Sequence, residues 1–181
     1  MPPDYSIPGP GNLIFLGRQI LQAKIEPTES STNLNCYFNA RNAAAKYGGE
    51  IVDVWEVAEV AGLFLHFRPH VLWRKSEGGV IDPSPSEFGL PVTTYFESPT
   101  PHALPMPAGY LHPLTCNAEF ITNLRLQNIA YRLIAEKLTP GNEVKINKEL
   151  LMAECTAILE AENIYSQNNL HLLMMLFMRG K

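Results

Sequence analysis

The sequence predicts an α+β fold, in which a cysteine-headed helix packs on a small antiparallel sheet and a proline-rich loop and C-terminal helices follow. Three observations predict it. Residues 36–47 are alanine-rich and stop at Gly48-Gly49. Residues 50–82 hold three apolar, β-branched runs separated by tight turn signals. Residues 117–179 carry three stretches of helical periodicity.

Bulk properties narrow the class. A chain of 181 residues with 46% apolar content is long enough to bury a core and too apolar for disorder. The net charge of −4 makes no electrostatic case for a nucleic-acid partner. No window is long and apolar enough to span a membrane, so none is expected. Three cysteines, Cys36, Cys116 and Cys155, are too few and too odd for a disulfide framework and point to a reducing compartment. The opening Met1-Pro2-Pro3-Asp4 lacks the basic and apolar regions of a signal peptide. The expectation is therefore a cytoplasmic protein, or one delivered to another cell without a classical signal peptide.

The elements follow in order. Residues 1–12, with four prolines and two glycines, read as an extended lead-in. Leu13, Leu16, Ile20 and Leu21 are spaced for one face of a short entry helix over residues 13–24, closed by Pro27. The helix over residues 36–47 rests on Ala40, Ala43, Ala44 and Ala45, with Asn33 or Asn35 as its cap and Gly48-Gly49 as its stop. Residues 50–60 read as a strand, Leu63–Lys75 as a second, and Val80–Asp82 as a third stopped by Pro83. The turns at Ala61-Gly62 and Ser76–Gly79 make them an antiparallel meander. Residues 83–113 hold eight of the fifteen prolines and read as a long irregular excursion, either a lid or a packed coil covering a sheet edge. Helices are expected over 117–138, 147–161 and 168–179, the last apolar nearly all round and so either buried or a partner surface. The domain reading is a core over 1–114, proline-rich loop included, and a helical extension over 115–181 expected to pack on it as one compact unit.

Within that frame one constellation carries chemistry. Cysteine attacks as the thiolate, and a helix N-terminus favours negative charge there. Cys36 heads the first helix. His70 lies on the second strand and Asp82 on the third. Cross-strand neighbours on an antiparallel pair sit ~4.5–5.5 Å apart, and a hairpin centred near residue 76 sets His70 and Asp82 opposite each other on one face. That suits a nucleophile, a base and a group that orients the base. Singly, each residue has an ordinary reading: packed cysteine, satisfied histidine, strand-end aspartate. Their order along the chain is the more specific signal. His66 is set aside, because four residues along a strand span ~13 Å. No metal site is expected, and no cofactor. Cys155 is read as core, and Trp73 as packing or a shield over the imidazole.

The wording of these residues, Cys36 with its helix, His70-Val71-Leu72-Trp73 and Gly78-Gly79-Val80-Ile81-Asp82-Pro83-Ser84, resembles the core of the papain-like and transglutaminase-like cysteine enzymes. It is also similar to small uncharacterised bacterial and phage proteins. The resemblance covers about residues 33–85. It implies a papain-like core, with Cys36 as nucleophile, His70 as base and Asp82 as its orienting group. No clear glutamine precedes the cysteine to serve an oxyanion hole, so the backbone N–H of Cys36 and the side chain of Asn35 or Asn33 are the expected oxyanion donors. The expected function is acyl transfer on a peptide, protein or small amide substrate, by a peptidase, amidase, deamidase or transamidase. The alternative is a non-catalytic binding protein on the same fold, using its apolar C-terminal helix as a contact surface or homodimer interface.

Overall fold

Among the residues described by the computed structural model (5–9, 13, 20–33, 35–60, 62–86, 89–102, 106–137 and 147–179), the elements run β1 (Tyr5–Ser6), β2 (Ile20–Ile25), α1 (Cys36–Tyr47), β3 (Glu50–Val60), β4 (Phe64–Arg74), β5 (Val80–Asp82), β6 (Val92–Glu97), β7 (Tyr110–Pro113), α2 (Ala118–Lys137), α3 (Lys148–Ala161) and α4 (Gln167–Arg179). They fall into two units, Met1–His102 and Ala103–Lys181. No described helix is long and apolar enough to cross a membrane.

The fold is α+β, and the sheet of the first unit closes on itself. β3 pairs antiparallel with β4 on one side and β6 on the other. β6 pairs with β2, β2 runs parallel to β5, and β5 returns to β4. The result is a five-stranded barrel rather than the open antiparallel meander expected, with β1 added at the Glu59–Val60 end of β3. Closure is visible in the packing. Ala23, Val54, Leu72 and Tyr95 form one buried cluster with Val80 against it, so each of the five strands sends a residue to the barrel interior.

Two expectations are corrected here. The entry helix over 13–24 is not formed, because Ile20–Ile25 is strand β2. Leu21, Ala23 and Ile25 alternate with exposed Gln22 and Lys24 at the strand period, and pairing to two strands satisfies the backbone groups that a short isolated helix leaves marginal. Residues 14–19 lie outside the described ones. The excursion over 83–113 is likewise not wholly irregular. Val92–Glu97 is strand β6, with buried Thr93, Thr94, Tyr95 and Phe96. Its prolines flank the strand instead of interrupting it.

The three strands β3, β4 and β5 and the helix α1 lie where the sequence places them. α1 lies beside β4 and β3. A two-glycine link returns it to β3. The Gly48 N–H donates to Ala44 O at 2.9 Å, and Gly48 and Gly49 have φ of 78° and 89°. A Cβ on Gly49 would meet Arg74 O at 2.2 Å, so no other residue fits this approach to β4.

The second unit is held by apolar packing. Leu126, Ile129, Leu133, Leu151, Cys155, Leu159, Leu173 and Phe177 interlock among α2, α3 and α4. Each fully buried large side chain contributes about 1.5–3 kcal/mol. Asn117, Asn147 and Ser166 cap the three helices, accepting from Phe120 N at 2.8 Å, Leu150 N at 3.0 Å and Asn169 N at 3.0 Å. The Asn128 amide holds β7 by bonding both backbone groups of Leu111, at 2.6 and 2.8 Å. Cys155 sits in this core, and burial raises its thiol pKa.

Candidate functional site

Strand alternation decides which side chains meet. Leu72 and Val54 point into the barrel, so His70 and Arg68 on β4 and Glu56 on β3 do too. Val80 shares that interior, which brings in Asp82 from the same strand. The expected His70–Asp82 pairing forms, with Nε2 2.8 Å from Asp82 Oδ2. The register differs from the expected one by two residues. Trp73 faces Ile81 and Arg74 faces Val80, so Leu72 stands across from Asp82 and His70 reaches it diagonally. A two-residue offset preserves the face, so the contact survives.

Asp82 is saturated. Its Oδ2 also accepts from Tyr95 Oη at 2.7 Å, and its Oδ1 accepts from Ser84 N at 2.8 Å. Burial works to raise its pKa. The hydrogen bond and charge of His70, with the Tyr95 and Ser84 donors, outweigh burial and hold it below the usual carboxylate value. The Tyr95 ring stacks on the imidazole with centroids 5.7 Å apart. Burial, then the charges of Asp82 and Glu56, keep its hydroxyl protonated, so it acts as a donor.

An ionised Asp82 only accepts, so Nε2 of His70 carries a hydrogen and Nδ1 faces away from Asp82. The Cys36 thiol lies close enough to His70 to favour its protonated form, and Nδ1 is the nitrogen left to face it. Burial alone would lower the imidazole pKa. The hydrogen bond and charge of Asp82, the Cys36 thiol and the charge of Glu56 overcome burial and push it up to about 10. His70 is 5% exposed, Asp82 1%, and Cys36 is half-buried. The structure thus brings together Cys36, His70 and Asp82.

Asn39, one turn beyond Cys36, holds the thiol's helix in place. Its Oδ1 accepts from Thr32 N at 3.1 Å, and its Nδ2 donates to Thr32 O at 2.8 Å and Ser84 Oγ at 3.2 Å. Ser31 Oγ donates to Pro83 O. The loop before Cys36, the first turn of α1 and the exit from β5 are therefore tied into one unit. Asn39 sits at the i+3 position from Cys36 on the buried face, an amide among alanines, and that contrast is its signal in the sequence. Tyr95 carries no local signal, because its approach depends on barrel closure, whereas Glu56 and Arg68 share a face of the β3–β4 hairpin with His70 and that hairpin is their signal.

Other expected roles are corrected. Asn35 is the cap residue of α1, but its side chain caps nothing. Its amide donates to Thr32 Oγ1 at 2.9 Å and Asn33 O at 3.3 Å, which commits it to the loop rather than to an oxyanion. Asn33 is exposed, and its carbonyl serves that loop contact. Trp73 lies on the opposite face of β4 from His70. Its indole N–H donates to Gly48 O at 2.8 Å and its ring lies against Tyr47, so it anchors the end of α1 and does not shield the imidazole. His66 points inward farther along β4, where Tyr5 Oη meets its Nδ1 at 3.0 Å. Burial and then the charge of Arg68 lower its pKa to about 4. Among the described residues, no three His, Cys, Asp or Glu side chains group closely enough to hold a metal ion.

A groove of about 520 Å³ lies elsewhere, between α3 and α4, lined chiefly by Met152, Met174, Met175 and Met178 with Lys148 and His171. It holds no nucleophile paired to a base, so chemistry places the candidate site at His70. No family model matches this chain, and neither does any curated protein or solved structure.

Proposed function

We propose that the protein is a cysteine-dependent acyl-transfer enzyme acting on an amide or ester, with a papain-like arrangement of Cys36, His70 and Asp82. The observation that carries the reading is an imidazole bonded to a buried aspartate and set beside the thiol of a residue heading a helix. The reactive state of such pairs is the thiolate–imidazolium form. The thiolate sulfur attacks the carbonyl carbon, and the Nδ1 proton passes to the leaving amine or alcohol as the thioester forms. Water or an acceptor amine then attacks the thioester. His70 takes that nucleophile's proton, and the sulfur leaves. Asp82 keeps Nε2–H in place through both steps. The oxyanion is held by first-turn backbone N–H groups of α1, beginning with Cys36, since Asn35 caps none of them. Peptidase, amidase, deamidase and transamidase activities all share these steps.

Iodoacetamide labelling near neutral pH tests the reading. Exposure alone ranks Cys116 first, because it is exposed while Cys36 is half-buried and Cys155 buried. The expected order puts Cys36 first, with its rate falling at least tenfold on His70→Ala, as a positioned proton-transfer partner contributes about 10²–10⁴. Fastest labelling at Cys116, or a Cys36 rate indifferent to His70, overturns it.

A second reading, an interaction protein that pairs with a second copy of this chain through α4, rests on exposed Met175 and Met178 beside the methionine-lined groove. A monomeric mass by light scattering removes it.

A further inference from the structure

The Glu56–Arg68 pair sits deep in the barrel, one strand position from the imidazole. The two residues face each other directly across β3 and β4, and Glu56 also faces Tyr95 on β6. Arg68 Nε donates to Glu56 Oε2 at 3.1 Å, and Nη2 donates to the same oxygen. That oxygen is also 3.9 Å from His70 Nδ1. The Glu56 side chain is 2% exposed and that of Arg68 17%. Charge-assisted N–H···O bonds close at about 2.7–2.9 Å, so a shift of about 1 Å would let Glu56 capture the Nδ1 proton. His70 would then be held by carboxylates at both nitrogens, with none left for the thiol. The charged or titratable groups around His70 are Asp82 from β5, Glu56 from β3, Tyr95 from β6, Arg68 from β4 and Cys36 from α1.

We infer that Arg68 is a positioning residue for the Cys36–His70 pair: by engaging Glu56 Oε2 with two N–H groups it keeps that carboxylate off Nδ1 and leaves the nitrogen to the thiol. A merely structural ion pair would behave differently. Removing one member of a buried pair destabilises whichever member goes, whereas removing both is often nearly neutral. Under the inference, the loss from removing Arg68 arises from the freed Glu56. This rests on the thiol–imidazole reading above, and the experiment separates the two.

The test compares wild type with Arg68→Gln, Glu56→Gln and the double variant, using the pH profile of iodoacetamide alkylation at Cys36 and the NMR titration of the His70 imidazole. Arg68→Gln is expected to slow Cys36 about tenfold, since an uncompensated charge at this range shifts a proton equilibrium by about one unit or more. The second substitution, Glu56→Gln, should recover most of that rate. Glu56→Gln alone removes a charge that helps hold the His70 proton, so the His70 titration and the alkaline limb of the profile should move to lower pH. Should Arg68→Gln fail to fold, the single Glu56 variant and the double variant still decide. A double variant that stays tenfold slow, or a Glu56→Gln titration that does not move, overturns the inference. If wild-type Cys36 is already indifferent to His70→Ala, it is the thiol–imidazole reading that fails.

Discussion

The barrel and the helical unit keep opposite interiors. Every buried polar or charged side chain among the described residues lies in the barrel unit: Asn39, Glu56, Glu59, His70, Asp82, Ser84, Thr93 and Thr94. The helical unit buries Leu126, Leu133, Leu159, Leu173, Phe177 and their neighbours with no charge among them. Both interiors are closed, so closure does not require buried charge. Burying a carboxylate costs several kcal/mol unless it is fully partnered. Asp82 has three donors and Glu56 two from Arg68, in the unit that also holds Cys36. The difference between the units locates where stability has been exchanged for an electrostatic arrangement, as functional sites commonly do.

The largest test of this contrast is on stability. Phe177 is fully buried in the apolar unit, and Phe177→Ala should cost about 3–5 kcal/mol by chemical denaturation, through lost burial and the cavity left behind. Tyr95→Phe, equally buried, removes only the hydroxyl that donates to Asp82 and should cost about 1.5–3 kcal/mol, the range for a bond to a charged group. Its effect should appear more strongly in the His70 titration than in the unfolding curve. A Tyr95→Phe cost larger than that of Phe177→Ala would break the division into a packing-held and a network-held interior.

How far each interior is legible in the sequence follows the same division. The helical unit is written locally. Apolar spacing and breakers such as Pro140-Gly141 mark α2, α3 and α4 without knowledge of anything distant. β3, β4 and β5 are local too, since tight turns join them, and a hairpin centred on a residue near 76 places His70 and Asp82 on one face. Barrel closure is not local. It requires Ile20–Ile25 to pair with Val92–Glu97 and with Val80–Asp82, across long separations that leave no mark on the spacing of apolar residues within either segment. Leu13, Leu16, Ile20 and Leu21 match a helix and draw attention from the alternation of Leu21, Ala23 and Ile25, and the prolines around Val92–Glu97 mask a β-rich run. The same blindness hides Tyr95 from the site, because only closure turns it toward His70, while Glu56 and Arg68 share the hairpin face of His70 and are legible from alternation alone.

A smaller effect separates the units by pH. His66 titrates near 4 in the fold against an ordinary value of 6.5. The unfolded chain therefore takes up its proton first, and stability falls as pH drops from about 6.5 to about 4, by about 3 kcal/mol at most. Asp82, depressed in the fold, contributes above its ordinary 3.8 and loses that contribution as pH falls through its lowered value. His70, raised to about 10, contributes fully below 6.5 and loses it as pH rises through about 10. In the helical unit the resolved shifts, Tyr131 and Cys155, are raised mainly by burial and weaken the fold only on the alkaline side of 10.0 and 9.0. Both tryptophans, Trp55 and Trp73, belong to the barrel unit. Acidification from pH 7 to 4 should therefore change tryptophan fluorescence before helical circular dichroism. Coincident transitions would mean that the two units unfold as one.

The smallest effect is expected at the helical unit's surface. Met178 is 55% exposed and Met175 38%, on the side of α4 away from Leu170, Leu173 and Phe177. A side chain already in water has little burial to lose, so Met178→Gln should change stability by no more than about 0.5 kcal/mol. Measured with stability, mass by light scattering gives the substitution a second outcome. A monomer before and after leaves α4 as an ordinary amphipathic helix whose apolar face is spent on its own core. A dimer that becomes a folded monomer shows that the helical unit has a second apolar contact, and that its exposed methionines, unlike the charges of the barrel, are completed only by another copy of the chain.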